Sequence, residues 1–260
     1  MVESPLLSIQ NLSAGYGKKT IINNINLDIY PGELCALLGL NGSGKTTLLK
    51  ALCGLLPVTS GSILSAKEDI THFNEKKRAG YISYIPQRFS KLIGVTVLEV
   101  VLMGYNPKLG IFEAPTSADK DLAKESLAKM NILHLKDEDF SKLSEGQKQK
   151  VILARTLVQN AQIMLMDEPD SALDFVGKHN ILTTIKNLIH ADNKAGLITL
   201  HDPNLALAHS DRLILIHEGR IKSEINLKTA NQDEIEKKLS ELYENIALTT
   251  VNKQHTVYLK

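Results

Sequence analysis

The sequence predicts an α/β fold in which a parallel β-sheet is packed between helices. In the C-terminal half, short apolar strands alternate with amphipathic helices, which is the pattern of a parallel sheet. The segment ELCALLG at 33–39 is a nearly unbroken apolar run, as expected of a strand buried on both faces. With 260 residues, of which 43% are apolar and 23% charged, the chain has the composition of a globular protein with one large domain or two small ones.

The N-terminal part predicts three strands followed by a helix. The strands are expected at LLSIQNL, TIINNINLDIY and ELCALLG, and a turn at Pro31-Gly32 separates the second from the third. The helix is expected from Gly44 to Cys53. A turn at Pro57 and two short strands near SGSIL and YISYI follow it.

Residues 88–160 predict a helical insert, because VTVLEVVLMG, SADKDLAKESLAKMNI and SEGQKQKVILARTLVQ carry apolar residues at three-to-four spacing. Ser117 and Ser144 are expected to cap the second and third of these helices. Next, QIMLMDEP, GLITLHD and RLILIHEGRI are predicted strands that alternate with the helices DFVGKHNILTTIKNLIHA and PNLALAHS. The tail predicts one amphipathic helix at about Gln232 to Tyr243, and then an alternating stretch with no recognisable chemistry.

Charge, hydropathy and cysteine content exclude several classes of protein. Thirty basic residues against 29 acidic ones give a net charge of +1, so no global field attracts nucleic acid or anionic lipid, and no nucleic-acid partner is expected. No stretch approaches the roughly 18 to 20 apolar residues that cross a bilayer, and the N-terminus lacks a signal-peptide pattern. Cys35 and Cys53 lie in apolar runs and are expected to be buried small hydrophobes in a reducing compartment. If the protein works at a membrane, another chain is expected to provide the span.

The segment GLNGSGKT at 39–46 predicts a phosphate-binding loop. It fits the G-x-x-x-x-G-K-[ST] pattern of the P-loop and lies between a buried strand and a helix, as the mechanism requires. Glycines let successive N–H groups converge on phosphate oxygens, Lys45 neutralises the β- and γ-phosphates, and Thr46 offers its hydroxyl to Mg²⁺. The residues expected to contact the nucleotide here are Gly39, Asn41, Gly42, Ser43, Gly44, Lys45, Thr46 and Thr47.

A pair of acids supports this interpretation. Asp167 and Glu168 end the apolar strand IMLM in a Walker-B arrangement. Asp167 is expected in the magnesium shell, and Glu168 is expected to orient the attacking water or take its proton. Most acidic pairs at strand ends are solvated turn residues, but together with a P-loop they predict nucleotide hydrolysis.

The segment LSEGQ at 143–147 resembles the LSGGQ signature of ABC-type ATPases. In that family the signature loop faces the γ-phosphate of ATP bound to the other subunit. The resemblance therefore implies that Ser144, Gly146 and Gln147 contact nucleotide in a homodimer. A hydroxyl donor and a close-approach backbone at a helix N-terminus suit this role, although simple capping of its own helix would also explain Ser144.

Other family landmarks follow in order, and the resemblance covers about residues 6–225. Tyr16 resembles the aromatic residue that stacks on adenine, and Gln87 resembles the Q-loop glutamine. The segment SALD at 171–174 resembles the D-loop, and His201 resembles the switch histidine. The implied catalytic residues are Lys45, Gln87, Glu168 and His201, and the implied metal-binding residues are Thr46, Gln87 and Asp167.

Two residues depart from the family pattern. Glu145 stands where the signature has glycine, so its side chain is expected to point away from phosphate. Asp170 replaces the usual threonine or serine and adds negative charge near Glu168. This charge is expected to affect the pH optimum of the ATPase activity.

The resemblance also implies an organisation and partners. It predicts a P-loop NTPase with an ABC-type ATPase core, an antiparallel β subdomain and an α-helical subdomain at about 88–160. The ABC ATP-binding domain is expected at 1–230, and a C-terminal helix and tail at 231–260. As a peripheral homodimer at the cytoplasmic face of the cell membrane, the chain would use ATP and Mg²⁺. Permease subunits would dock near Arg88 to Gly104, and a solute-binding protein would act indirectly.

The transported substrate is predicted from three longer segments. Residues 95–104, 106–110 and 201–208 resemble ATPases that drive uptake of iron-siderophore complexes, haem and cobalamin, so import of such a compound is the expected function. Import of zinc, manganese or another small solute is the alternative within transporters. A soluble ATPase of iron–sulfur cluster assembly would share every phosphate motif and differ beside Gln87.

Overall fold

A six-stranded mixed sheet forms the centre of the computed structural model, which describes residues 4–87, 92–110, 112–251 and 254–259. All neighbouring strands are parallel except the first pair, which is antiparallel. Across the sheet the strands are β10 (Arg220–Asn226), β9 (Arg212–His217), β3 (Glu33–Leu38), β8 (Ala195–Thr199), β7 (Ile163–Asp167) and β6 (Ile82–Ile85).

One strand prediction needs correction. The segment RLILIHEGRI is not a single strand but the start of the β9–β10 hairpin. Glu218 and Gly219 form its turn, with left-handed φ angles of 46° and 73°. The glycine supplies this conformation without steric cost, which reverses the chain and makes β10 antiparallel.

A second, four-stranded sheet confirms the antiparallel β subdomain. Its strands lie in the order β2, β1, β4 and β5. They are β1 (Leu7–Tyr16), β2 (Lys19–Ile29), β4 (Val58–Ser65) and β5 (Glu68–Asp69). Apolar side chains from this sheet, including Ile22 and Ile25, share one buried cluster with Leu48 and Leu49 of the first helix.

The described residues also form eight α-helices. They are α1 (Lys45–Cys53), α2 (Glu75–Arg78), α3 (Val97–Leu102), α4 (Ser117–Lys129), α5 (Glu145–Gln159), α6 (Phe175–Ala191), α7 (Pro203–His209) and α8 (Gln232–Leu239). Helices α3, α4 and α5 pack on one another and form the predicted helical subdomain. Within the described ranges, we find no helix with the length and apolar character that crossing a bilayer requires.

The structure confirms one predicted helix cap and corrects the other. Ser144 caps α5 as expected. For α4 the cap is Thr116, not Ser117. Thr116 accepts a hydrogen bond from the N–H of Asp119, whose carboxylate accepts one from the N–H of Thr116 at 2.8 Å. A cap at Ser117 would put Lys120 in the reciprocal position, where no side-chain acceptor is available.

The tail contains more structure than the sequence predicted. Helix α8 ends at Leu239 rather than near Tyr243. The alternating stretch after it forms a hairpin of β11 (Ile246–Val251) and β12 (Gln254–Leu259). The Asn204 side chain of α7 binds this hairpin, accepting from the Val257 N–H at 2.7 Å and donating to its carbonyl at 3.3 Å.

The two cysteines differ slightly in burial. Cys35 is fully buried in β3, as expected, whereas Cys53 at the end of α1 is partly exposed and packs against the same cluster. Burial raises the pKa of both thiols, so they stay protonated and act as small apolar side chains.

Candidate active site

The loop between β3 and α1 forms a cradle of backbone groups. Gly42 and Gly44 adopt left-handed φ angles of 78° and 106°. A Cβ atom at Gly39 would lie only 2.4 Å from the Ile216 carbonyl oxygen, so this position requires glycine. The first helical hydrogen bond of α1 runs from the Leu48 N–H to the Gly44 carbonyl. The N–H groups before Leu48 therefore have no partner within the helix and can receive an anion.

Lys45 lies inside this cradle. Its side chain is 5% exposed, and its ammonium group donates to the carbonyl oxygens of Gly39 at 2.7 Å and Leu40 at 3.3 Å. Burial lowers the pKa of Lys45, and the carboxylates of Glu168 and Asp167 oppose that shift. Because the lysine bonds only to neutral carbonyls at short range, its charge remains available to phosphate.

A pocket of about 480 Å³ opens over the cradle. Its polar lining fits a polyanion, since the buried Ser43 hydroxyl oxygen has no hydrogen-bond partner among the described residues. Tyr16 lies at its edge with 51% of its surface exposed, so one ring face can receive a base. The lining residues are Tyr16, Lys19, Ile21, Asn41, Gly42, Ser43, Gly44, Lys45, Thr46, Thr47 and Glu168.

Asp167 is held at the end of β7 by three hydroxyl groups. Its Oδ1 accepts from Thr199 Oγ1 at 2.8 Å and from Thr46 Oγ1 at 3.2 Å. The Tyr84 hydroxyl also contacts this carboxylate; burial, and then the charge of Asp167, raise the pKa of Tyr84. Asp167 is 2% exposed, so these bonds compensate the cost of burying its charge.

Three predicted residues, Gln87, Glu168 and His201, come together at the Glu168 carboxylate. Its carboxylate accepts from Gln87 Nε2, and its Oε1 lies 2.5 Å from His201 Nε2. The backbone at Glu168 has a left-handed φ of 47°, which is unfavourable for a residue with a Cβ. The Glu168 N–H donates to Thr199 Oγ1 at 2.8 Å, which supports this conformation.

The signature segment lies elsewhere in the chain. Ser144 and Gln147 form a capping box at the start of α5: the Ser144 N–H donates to Gln147 Oε1 at 2.9 Å, and the Gln147 N–H donates to Ser144 Oγ at 3.3 Å. A Cβ atom at Gly146 would lie 3.7 Å from Leu173 of the predicted D-loop. Of the described residues that line the pocket, none belongs to 143–147. One chain therefore does not unite the two halves of the predicted nucleotide site.

The two departures from the family pattern have local partners. Glu145 pairs with Lys148 at 2.8 Å on the surface of α5. Asp170 is buried, with Lys178 Nζ at 3.9 Å. Burial raises the pKa of Asp170, and the charge of Lys178 opposes that shift.

Sequence reasoning missed four residues of the site, one of which is Tyr84 of β6, whose hydroxyl contacts Asp167. Lys19 and Ile21 line the pocket from β2, and no motif marks them. Thr199 bonds to both strand-end acids, and a signal for it exists: it is the only polar side chain in the buried strand AGLIT. A buried hydroxyl requires partners, and the ends of neighbouring parallel strands lie side by side.

Relatives with described functions match this chain along most of their length. One is a hemin import ATP-binding protein of Shewanella denitrificans, 37% identical over 83% of this chain and 85% of its own. Another is named a probable iron chelatin transport ATP-binding protein of Helicobacter pylori, 35% identical over 83% and 85%. A manganese transport system ATP-binding protein of Listeria monocytogenes is 33% identical over 82% and 87%.

Solved structures agree with the sequence matches. A metal-chelate type ABC transporter, described in an inward-facing conformation, has a TM-score of 0.82 and 27% identity over 99% of this chain and 97% of its own. A dimeric, post-hydrolysis ATP-binding cassette bound to ADP and Pi has a TM-score of 0.73 and 27% identity over 85% and 98%. The family model described as ABC transporter matches residues 22–171. The chain therefore belongs to the ABC transporter family, as an ATP-binding cassette that hydrolyses ATP.

Proposed function

We propose that this chain powers a membrane importer of an iron complex, such as a siderophore or haem, or of cobalamin. The observation that carries the substrate class is the likeness to a hemin import protein and an iron chelatin transport protein at 37% and 35% identity. The metal-chelate type transporter, which matches 99% of the chain, supports the same class. The manganese relative at 33% identity favours transition-metal import as the second candidate.

In the proposed reaction, the cradle holds the triphosphate and Lys45 leaves its carbonyl partners to neutralise it. Asp167 and Thr46 supply the oxygen ligands that Mg²⁺ prefers, and the ion would neutralise developing charge on the phosphates when bound. Tyr16 stacks on the base. These assignments rest on the pocket lining and on the hydrogen bond between Thr46 and Asp167.

Glu168 is proposed to take a proton from the attacking water or to orient it. Its carboxylate already accepts from Gln87 and faces His201, so both side chains can fix its position. General-base assistance is worth about a hundredfold or more in rate. His201 has 49% of its side chain exposed, which leaves it accessible to a γ-phosphate as well.

The active form is proposed to be a homodimer with two shared nucleotide sites. Ser144, Gly146 and Gln147 lie outside the pocket of their own chain, at the N-terminus of α5, where a helix can bind an anion. ABC cassettes dimerise, and the dimeric cassette bound to ADP and Pi supports this assembly for the present chain. The signature of each copy would then complete the other copy's site.

The permease is proposed to dock beside the Q-loop, at Arg88 to Gly104. Residues 88–91 of this segment lie outside the described residues. In the described part of this segment, Ile93 is 75% exposed, and a docked permease would cover this apolar side chain. Such docking would hold the protein at the cytoplasmic face of the membrane.

The division into an ATP-binding domain at 1–230 and a C-terminal helix and tail at 231–260 also remains a proposal.

Reconstitution tests this function. The tagged chain is purified from native membranes with its bound permease, and the complex is placed in vesicles with and without ATP. Uptake of a ferric siderophore, haem, cobalamin, Mn²⁺ and Zn²⁺ is then measured, with Glu168→Gln vesicles as the inactive control. ATP-dependent uptake of an iron complex or cobalamin supports the proposal. Transport of Mn²⁺ or Zn²⁺ alone overturns the substrate class, and purification without any polytopic membrane protein overturns the transport role.

A further inference from the structure

Thr199 joins the two strand-end acids from a neighbouring strand. In the parallel ladder of β7 and β8, Thr199 lies directly opposite Asp167. Its hydroxyl donates to Asp167 Oδ1 at 2.8 Å and accepts from the Glu168 N–H at 2.8 Å. One side-chain group therefore contacts both residues through which the proposed reaction runs.

The environment of Thr199 makes this hydroxyl costly without those bonds. The residue has no exposed surface, and the other residues of β8 are Ala195, Gly196, Leu197 and Ile198. A buried hydroxyl that loses its partners destabilises the fold, whereas valine has the same shape and suits a buried strand. Packing alone would thus favour valine here, so the hydroxyl has a role in placing its partners.

We propose that Thr199 is a positioning residue for ATP hydrolysis, which fixes the Asp167 carboxylate toward the metal and holds Glu168 in its left-handed backbone conformation. The bond to Asp167 orients a ligand, since partners of metal-binding carboxylates determine ligand geometry. The bond to the Glu168 N–H supports a φ of 47°. This inference rests on the roles proposed for Asp167 and Glu168.

The test compares Thr199→Val with Thr199→Ser, which keeps the hydroxyl. Mn²⁺, as a paramagnetic substitute for Mg²⁺, is titrated into the protein with a non-hydrolysable ATP analogue and followed by electron paramagnetic resonance. We expect Thr199→Val to weaken Mn²⁺ binding about 10-fold to 100-fold and to lower kcat comparably, while nucleotide affinity in EDTA is unchanged. Thr199→Ser should retain both properties.

A matched control separates positioning from the general loss of a buried hydroxyl. Thr156 in α5 is 2% exposed, and its hydroxyl donates to the Leu153 carbonyl at 2.7 Å. Thr156→Val should leave Mn²⁺ affinity and kcat at their original values. Thermal unfolding is measured for every variant, and Thr199→Ala removes the same hydroxyl if valine does not fit.

Several results would overturn the inference. Unchanged Mn²⁺ affinity and kcat in Thr199→Val, or in Thr199→Ala, would show that the hydroxyl serves folding alone. Unfolding of both variants would show the same. Asp167→Asn identifies the other kind of failure: if it also leaves Mn²⁺ binding unchanged, the proposed metal role of Asp167 is wrong, whatever Thr199 does.

Discussion

His201 Nε2 lies 2.5 Å from Glu168 Oε1, so the residue that follows β8 by two positions faces the residue that follows β7. The two side chains come from adjacent parallel strands, whose carboxyl ends share one edge of the sheet. Gln87, just beyond β6, reaches the same carboxylate. Three successive strand ends thus meet at one glutamate, which makes Glu168 the first residue to test.

We expect Glu168→Gln to bind ATP, to lose hydrolysis by about a hundredfold or more, and to accumulate as a dimer. The amide keeps the size of the side chain but cannot accept the proton of water. Single-turnover hydrolysis and light scattering with ATP measure the two effects. The exposed Glu218, also left-handed with a φ of 46°, gives the control Glu218→Gln. Normal turnover in Glu168→Gln would remove Glu168 from its proposed role.

Ser144→Ala should lower the ATPase activity of the dimer while the ATP affinity of the monomer stays unchanged, because Ser144 is proposed to serve the partner's site. It should also cost about 1 kcal/mol of stability through the lost helix cap. Thr116→Ala removes an equivalent cap from α4 and is the matched control, expected to lose stability but not activity. Equal loss of ATP binding in a Ser144→Ala monomer would contradict the shared site.

Tyr16→Ala should weaken ATP binding, because stacking of a base on an aromatic ring is worth about 1–3 kcal/mol. Tyr16→Phe keeps the ring and should bind normally. Fluorescence titration with a labelled nucleotide measures the affinity. Tyr258 is exposed to 50%, close to the 51% of Tyr16, so Tyr258→Ala controls for the loss of a surface tyrosine. Similar affinities for Tyr16→Ala and the original protein would rule out base stacking.

Stability should fall in mild acid because of the histidine pair between α6 and α7. His179 Nδ1 and His209 Nε2 are 2.8 Å apart, and burial, with the nearby charges of His179 and Lys186, lowers the pKa of His209 from 6.5 to about 4. Between these pH values, His209 binds a proton in the unfolded chain but stays neutral in the folded protein. The free energy of unfolding therefore decreases as the pH falls from 6.5 toward 4.

Thermal unfolding between these pH values checks this expectation. His209→Gln should show a smaller decrease in melting temperature on acidification than the original protein. His134→Gln, at an exposed position, is the control and should follow the original curve. Parallel curves for His209→Gln and the original protein would contradict a role for His209.

Sequence reasoning was strongest where the chemistry constrains the backbone. The P-loop prediction depends on a buried strand, glycines that reach left-handed φ angles, and a helix directly after the loop, and all three are present, although the helix begins at Lys45 rather than at Gly44. The prediction of an antiparallel and a helical subdomain is also confirmed. By contrast, Gln87 and His201 were selected only through the family resemblance, and their contacts with Glu168 are known from the structure, since nothing in the neighbouring sequence fixes a contact over such separations.

The errors occurred where local signals compete. Thr116 and Ser117 are both capable caps, and the reciprocal bond from the Thr116 N–H to the Asp119 carboxylate decides between them. The β9–β10 turn was missed because its two residues interrupt an apolar run only briefly. Thr199 carries no motif, and its importance arises from the register of two strands that lie apart in the sequence.

The Lys45 ammonium, held by the carbonyls of Gly39 and Leu40, gives the loop an internal occupant. Without nucleotide, these hydrogen bonds keep the loop in its curved conformation. When ATP binds, the Lys45 ammonium exchanges the two carbonyl oxygens for phosphate oxygens, and the loop does not need to fold around the nucleotide. Replacing Lys45 by a neutral residue should consequently destabilise the loop of the nucleotide-free protein and also weaken ATP binding. Faster hydrogen exchange of the loop amides without nucleotide would show this destabilisation.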